Sequence, residues 1–299
     1  MATVSDKSFM LAISNVAHHG DTDIFPFPIE NHFFHDKPHE VLKALQEVDA
    51  TFEESIAKIP VLNCKELTPA SYSGFRQGTL IDPLWNAYLL ALVIEAGADI
   101  EAKRVSNTVS FAYRFAPDRT EFTLFDKDIG WSKFRESIKA TAPNFQFVLR
   151  CDISDFYPRI YHHRLENALQ RAVKNTDLAK RITKLVSEIA GGPSYGLPVG
   201  GNAARLLSEL LLNQVDRLLA TEGVKFYRFV DDYVIFANTR EEAQSALISL
   251  TKFLLTNEGL SLQKSKTKIM SSAEFLLSSD LVDEVEGNSP EAEKERAFR

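Results

Sequence analysis

The run KFYRFVDDYVIF, residues 225–236, sets two adjacent carboxylates, Asp231 and Asp232, inside an aromatic and β-branched stretch. Phe226, Tyr227, Phe229, Val230, Tyr233, Val234, Ile235 and Phe236 all favour strand. A buried, unpaired carboxylate costs several kcal/mol, so any fold that contains this strand must compensate the acids. Two readings meet that demand. One is a hairpin whose tight turn is Asp231-Asp232, since Asp tolerates turn geometry. The other is a cation site at a strand turn.

A second strand ends in acids. In FQFVLRCDISDFYPRIY the apolar run at 145–153 leads into Asp152 and then Asp155. Two such strands side by side would point three carboxylates at one spot. Clustered carboxylates repel and need hard cations to persist. Mg²⁺ suits them, because it takes oxygen ligands and keeps positions open for water and phosphate. A pair of such ions about 3.5–4 Å apart can clamp both oxygens of an in-line phosphoryl displacement. Cys151, one position before Asp152, is expected to face the core, because strand neighbours point oppositely.

The remaining pattern is that of an α+β fold, a small antiparallel sheet backed by helices. Residues 1–40 read as loop, with Pro26, Pro28 and Pro38 and five of the seven histidines. His32, His35 and His39 lack a ligand pattern and are expected on the surface. His18-His19-Gly20-Asp21 either folds over the site or only packs the N-terminus. Helical spacing predicts helices over 41–58 and 83–97. A hairpin is expected over 107–126, with Pro117-Asp118 at its turn. One long amphipathic helix is expected to carry Leu165, Leu169, Val173, Ile182, Leu185 and Ile189. The glycine- and proline-rich GGPSYGLPVGG at 191–201 must be a shaped loop. Asn202 is expected to cap the leucine-striped helix that follows, and another helix spans about 240–257. Trp85 and Trp131 are expected in the core.

These segments together resemble the palm of reverse transcriptases. Asp152-Ile153-Ser154-Asp155-Phe156-Tyr157 looks like motif A and Gly196-Leu197-Pro198-Val199-Gly200-Gly201 like motif B. Phe229-Val230-Asp231-Asp232 looks like motif C, and Gly259-Leu260 with Lys264, Lys266 and Thr267 like motif D. Four motifs in order are separate coincidences. Arg-Phe-Val-Asp-Asp, the Leu-Pro-Val-Gly-Gly loop ending in Arg205-Leu206-Leu207-Ser208-Glu209, and the early GDTDIFPFPIE resemble the bacterial abortive-infection and unknown-group branch, implicated in defence against phage.

The resemblance implies a right-hand polymerase fold with palm and fingers. The N-terminal extension would cover 1–60, a fingers-like region 61–145, and the palm 146–279, with 166–195 returning toward the fingers. A net-acidic stretch of twenty residues, 280–299, would follow, so the thumb is expected to be missing or minimal: either the chain is a fragment, or a partner or RNA replaces the thumb's grip. The implied activity is RNA-directed DNA polymerisation with two Mg²⁺ ions, Mn²⁺ substituting. Asp152, Asp231 and Asp232 would be the catalytic metal ligands, with the Ile153 backbone. Arg114, Ser154, Asp155, Phe156, Tyr157, Pro198, Val199, Gly200 and Lys266 would contact the nucleotide, Tyr157 as a gate against the ribose 2′-OH. Gly201, Arg205, Arg159, Arg164 and Lys264 would contact nucleic acid. Val199 stands where many relatives carry Gln, and Phe229 where Tyr is commoner. The implied partners are dNTPs, a non-coding template RNA, product DNA, and a second copy or an accessory defence protein. Template-independent or protein-primed synthesis, a nucleotide cyclase, and a non-catalytic RNA-binding subunit are the alternatives.

Composition bounds this reading. Two cysteines, Cys64 and Cys151, are too few for a disulfide scaffold. The N-terminus is a poor signal peptide, and AYLLALVI at 87–94 is too short to span a bilayer, so a cytoplasmic protein without a membrane partner is expected. The net charge of −7 argues against a nucleic-acid binder. Residues 280–299 hold −4 of it, however, and residues 159–184 carry a net +5 that could track phosphates or form a solvated helix face.

Overall fold

The computed structural model describes residues 3–25, 29–71 and 74–278. The acidic tail at 280–299 and the Pro26-to-Pro28 part of the early segment lie outside the described residues. The loop expected over 1–40 is largely helical: α1 spans Asp6–His19 and α2 His32–Asp36, and α3 begins at Pro38. Ser5 caps α1, accepting from the Ser8 amide, and Phe9, Ala12, Ile13 and Val16 are buried at helical spacing. That periodicity was present in the sequence beneath the prolines and histidines. His32, His35 and His39 are all exposed.

The single helix expected over 41–58 is two, α3 (Pro38–Ala50) and α4 (Phe52–Lys58), parted at Thr51. A hairpin follows, β1 (Asn63–Ser71) with β2 (Gly74–Ile81). The Asp82 carboxylate caps α5 (Pro83–Glu101), which is buried on nearly every side and includes the fully buried Trp85. The hairpin expected over 107–126 shrinks to β3 (Phe115–Asp118) and β4 (Thr123–Phe125). Residues before it leave the ladder, and Ser110 instead bridges Arg228.

Four antiparallel strands form the central sheet in the order β6-β7-β5-β8: β6 (Lys225–Phe229), β7 (Asp232–Ala237), β5 (Phe147–Asp152) and β8 (Lys268–Ser271). Alternation gives the sheet two apolar faces. Leu149, Cys151, Tyr233 and Ile235 enter the main core, with α10 (Asn202–Thr221) and α11 (Arg240–Phe253). Val148, Tyr227, Val234 and Phe236 form a second core with α6 (Trp131–Thr141) and α12 (Ser272–Leu276). Cys151 is fully buried, as the alternation requires. Gly201, not Asn202, holds the capping position of α10.

After the one-turn α7 (Phe156–Arg159), the long helix expected through Val173 breaks into α8 (His162–Ala172) and α9 (Thr176–Ala190). Asn175 causes the break, its side chain accepting from the Asp177 and Leu178 amides. The basic surface expected over 159–184 is also largely neutralised. Arg181 donates to Asp49 and Asp177, Lys184 pairs with Glu53, and Lys174 pairs with Asp99. Much of that charge holds α9 to the N-terminal region.

A wide turn, Leu254–Glu258, ends α11 and leaves Glu258 only 3% exposed. Burial pushes its carboxyl from about 4.5 to about 7, against the weaker pull of Arg164 and Arg171. An acid whose pKa is raised by folding stabilises the fold below its unfolded pKa. That contribution is lost as pH rises through about 7. Glu258→Gln removes the titration. The variant is therefore expected to gain up to about 3 kcal/mol relative to wild type between pH 5 and pH 8 in urea unfolding. A difference independent of pH would contradict the assignment.

Candidate active site

The register of β5 on β7 sets Asp152 directly opposite Asp232. Side chains so placed have Cβ atoms about 4.5–5.5 Å apart. The Ile153 amide donates to the Asp231 carbonyl at 3.2 Å, which ties the third acid to the same strand end. The expected hairpin is present, but its tight turn is Val230-Asp231. Asp232 opens β7 rather than closing the turn. Hairpin and acid cluster are thus two aspects of one structure.

Burial, reinforced by the carboxylates of Asp232 and Asp152, pushes Asp231 up to about 7. Lys266 answers part of this charge, its Nζ donating to Asp152 Oδ2 at 2.7 Å. Among the described residues, no three His, Cys, Asp or Glu side chains are gathered tightly enough to hold a metal ion as they stand. The donor chemistry nevertheless fits a hard divalent cation. The side chains offer only oxygen donors, their charges are crowded, and a lysine ammonium already sits against one of them.

Two further segments are stitched to the strand end. The Gln263 amide donates to the Asp152 carbonyl at 2.8 Å, and the Ser154 amide to the Ser261 carbonyl at 2.9 Å. Ser154 Oγ donates to the Gln263 side-chain oxygen at 3.1 Å. On the other side, the Leu197 amide donates to the Tyr157 carbonyl at 2.9 Å and the Gly196 amide to Ile160 at 2.8 Å. The four separated sequence motifs therefore meet through main-chain hydrogen bonds. Asp155, at the bend before α7, has φ +47°, a left-handed conformation that Asp tolerates. Phe156 and Pro198 are buried, Tyr157, Val199 and Gly200 half-buried. Asp155 is exposed with Arg159, 3.7 Å from it.

Gly200 has φ +117°, and a Cβ there would run into the Thr22 hydroxyl. This close approach comes from a strap, residues 20–25, that sequence reasoning weighed only in part. Its Asp23 amide donates to the Gly200 carbonyl, and Asp21 is anchored by Asn31 and Asn86. Ile24 and Phe25 lie against Gly78 of β2. The strap borders a cleft of about 330 Å³ that Gly200 and Arg205 also line. Arg205 pairs with Asp23 and lies over the Tyr113 ring, with 5.1 Å to its centroid. Gly201 is half-buried beside the Asp21 carbonyl, and Lys264 is exposed. Arg164 donates to the Thr256 carbonyl at 3.4 Å.

Arg114 requires correction. It precedes β3 rather than riding on a hairpin, and it is only 8% exposed. Its guanidinium pairs with Glu101 and donates to the Val105 carbonyl at 2.9 Å. In this structure the side chain is committed to the fold. Trp131, expected in the core, is 36% exposed and packs edge-on against Phe229.

Two features escaped the sequence reading. Arg135 and Arg150 line the same small cavity as Asp232. Below the Val230-Asp231 turn, Arg228 is fully buried with Glu209 and Asp216 of α10. The available signal was Arg228 inside an apolar strand, with two acids on the leucine stripe of α10.

No curated protein matches the chain. Among solved structures, the telomerase of Candida albicans with a fragment of telomeric RNA is similar, at 12% identity and a TM-score of 0.49. That match covers 77% of this chain and 46% of that one. The apo telomerase of Candida tropicalis gives 11% identity and a TM-score of 0.48, over 78% and 50% of the two chains. The chain spans about half the length of these structures. The family model described as reverse transcriptase (RNA-dependent DNA polymerase) matches residues 100–284, more than half of the sequence. Those residues include every segment that converges on Asp152, Asp231 and Asp232, and the chain belongs to the reverse transcriptase family.

Proposed function

We propose that the chain is an RNA-directed DNA polymerase of bacterial antiviral defence, joining deoxynucleotides by two-metal nucleotidyl transfer. The observation that carries the reading is Asp152 directly opposite Asp232, with Asp231 in the adjoining turn. Asp152, Asp231 and Asp232, with the Ile153 backbone, would hold two Mg²⁺ ions, Mn²⁺ substituting. Such ions, when bound, stabilise the attacking and leaving oxygens of a phosphoryl transfer.

The chain's own groups do the rest. Lys266, released from Asp152, carries a positive charge toward the departing pyrophosphate. Backbone at Ser154, Asp155 and Phe156 underlies the triphosphate. Tyr157, held by the Leu197 amide on its carbonyl, forms a wall against the ribose 2′-OH. Pro198, Val199 and Gly200 line the nucleotide's sugar and base, with the φ +117° of Gly200 shaping the loop and leaving room for the strap behind it. Gly201, Arg159, Arg164 and Lys264 follow the nucleic-acid backbone. Arg205 joins them once Asp23 lets it go.

On this reading residues 61–145 act as fingers and 146–279 as palm. The partners are dNTPs, a non-coding RNA template, product DNA, and a second copy or an accessory defence protein. The place in phage defence rests on the wording of the motifs around Gly200 and Asp231. Among the described residues no helix is long and apolar enough to cross a membrane.

Labelled dNTP incorporation by the full chain, with its co-purifying RNA and Mg²⁺ or Mn²⁺, tests the activity. Asp231→Ala/Asp232→Ala is expected to lower incorporation by at least about a hundred-fold. Wild-type incorporation by that variant would sink the site. Sequenced product should copy the RNA, whereas random or homopolymeric product would favour untemplated synthesis. Tyr157→Ala is expected to raise ribonucleotide use relative to deoxynucleotide by about ten-fold or more. An unchanged ratio would remove the gate from Tyr157.

A further inference from the structure

The Val230-Asp231 turn is strained at its first position. Val230 has φ +53°, in the left-handed region that a β-branched side chain avoids. Two-residue hairpin loops that need positive φ at this place normally use glycine. Such a conformation persists only where its surroundings over-determine it.

Arg228 supplies the constraint. It is fully buried, two residues before Val230. Its Nε donates to Asp216 at 2.9 Å, and its Nη2 to Asp216 at 2.7 Å and Glu209 at 2.9 Å. Its Nη1 donates to Glu209 Oε1 at 2.8 Å and to the Val230 carbonyl at 2.8 Å. The Tyr233 hydroxyl holds Asp216 at 3.0 Å, and Ser110 and Arg104 close the network on Glu209. Two buried arginines face two buried acids, so the charges balance within the network. A core ion pair kept for stability alone has no need to hold the backbone of the acidic turn.

We infer that Arg228, clamped by Glu209 and Asp216, is the positioning residue of the acidic turn. It fixes the Val230 peptide so that Asp231 and Asp232 stand toward Asp152. The inference rests on the metal-site reading above and names what sets that site's geometry.

Mn²⁺ binding to the full chain, followed by the electron paramagnetic resonance of free Mn²⁺, tests it without turnover. The charge-balanced pair Arg228→Gln/Asp216→Asn is expected to weaken binding at least about ten-fold. Adding Val230→Gly, which adopts positive φ without a side-chain penalty, is expected to restore affinity to within about three-fold. Folding stability should stay low, which separates positioning from mere support. Wild-type affinity in the pair, or a loss that glycine leaves unrepaired, overturns the inference. Should the pair fail to fold, Val230→Pro forces a negative φ and leaves the buried ions in place. It carries the same ten-fold expectation, and wild-type affinity there overturns the inference too. If wild-type protein binds Mn²⁺ no better than Asp231→Ala, the metal-site reading fails and takes this inference with it.

Discussion

The pairing of β5 with β7 is the constraint on which the molecule turns. One residue of slip would send Asp152 to the opposite face of the sheet from Asp232. The register is held by what lies on both faces. Leu149, Cys151, Tyr233 and Ile235 fit the main core, while Val148, Val234 and Phe236 fit the second. A slip would exchange these sets and place Arg150 in the main core. The cost of burying acids at the strand end is thus met by a sheet with no other acceptable pairing.

The acids themselves are destabilising neighbours. Burial and mutual repulsion push Asp231 up to about 7, and Lys266 relieves only part of that charge. Such a cluster is expected where function, not stability, selects the residues. The same trade is visible in the backbone. Asp155 and Val230 both take positive φ where the chain bends at the site. Strained positions of this kind persist because neighbouring elements over-determine them. Here those neighbours are the buried ions on α10 and the hydrogen bonds joining motif to motif.

Much of this was legible in the sequence, for identifiable reasons. Strands with β-branched and aromatic residues announce themselves, and acids in such runs demand an explanation, so β5, β6, β7 and the three aspartates could be read. Ordered motifs then carried the family. What failed were features set by tertiary partners. The break at Asn175 was hidden because the apolar spacing runs straight through it. The helix at Asp6–His19 was masked by the prolines and histidines that follow. The pairing of Arg114 was hidden because Glu101, its partner, lies on a different element. In the basic stretch at 159–184, the pairing of Lys174, Arg181 and Lys184 was hidden because Asp99, Asp49 and Glu53 are remote in sequence. Charges are the least local of sequence signals, and their partners are the last thing a sequence reveals.

Anomalous diffraction from crystals of the full chain grown with Mn²⁺ and a deoxynucleoside triphosphate is the most direct check. The account requires two peaks about 3.5–4 Å apart, both within ligand distance of Asp152 and Asp231, with Lys266 withdrawn from Asp152. Nucleotide bound with manganese elsewhere, or Lys266 still seated on Asp152 beside a filled triphosphate site, would contradict it.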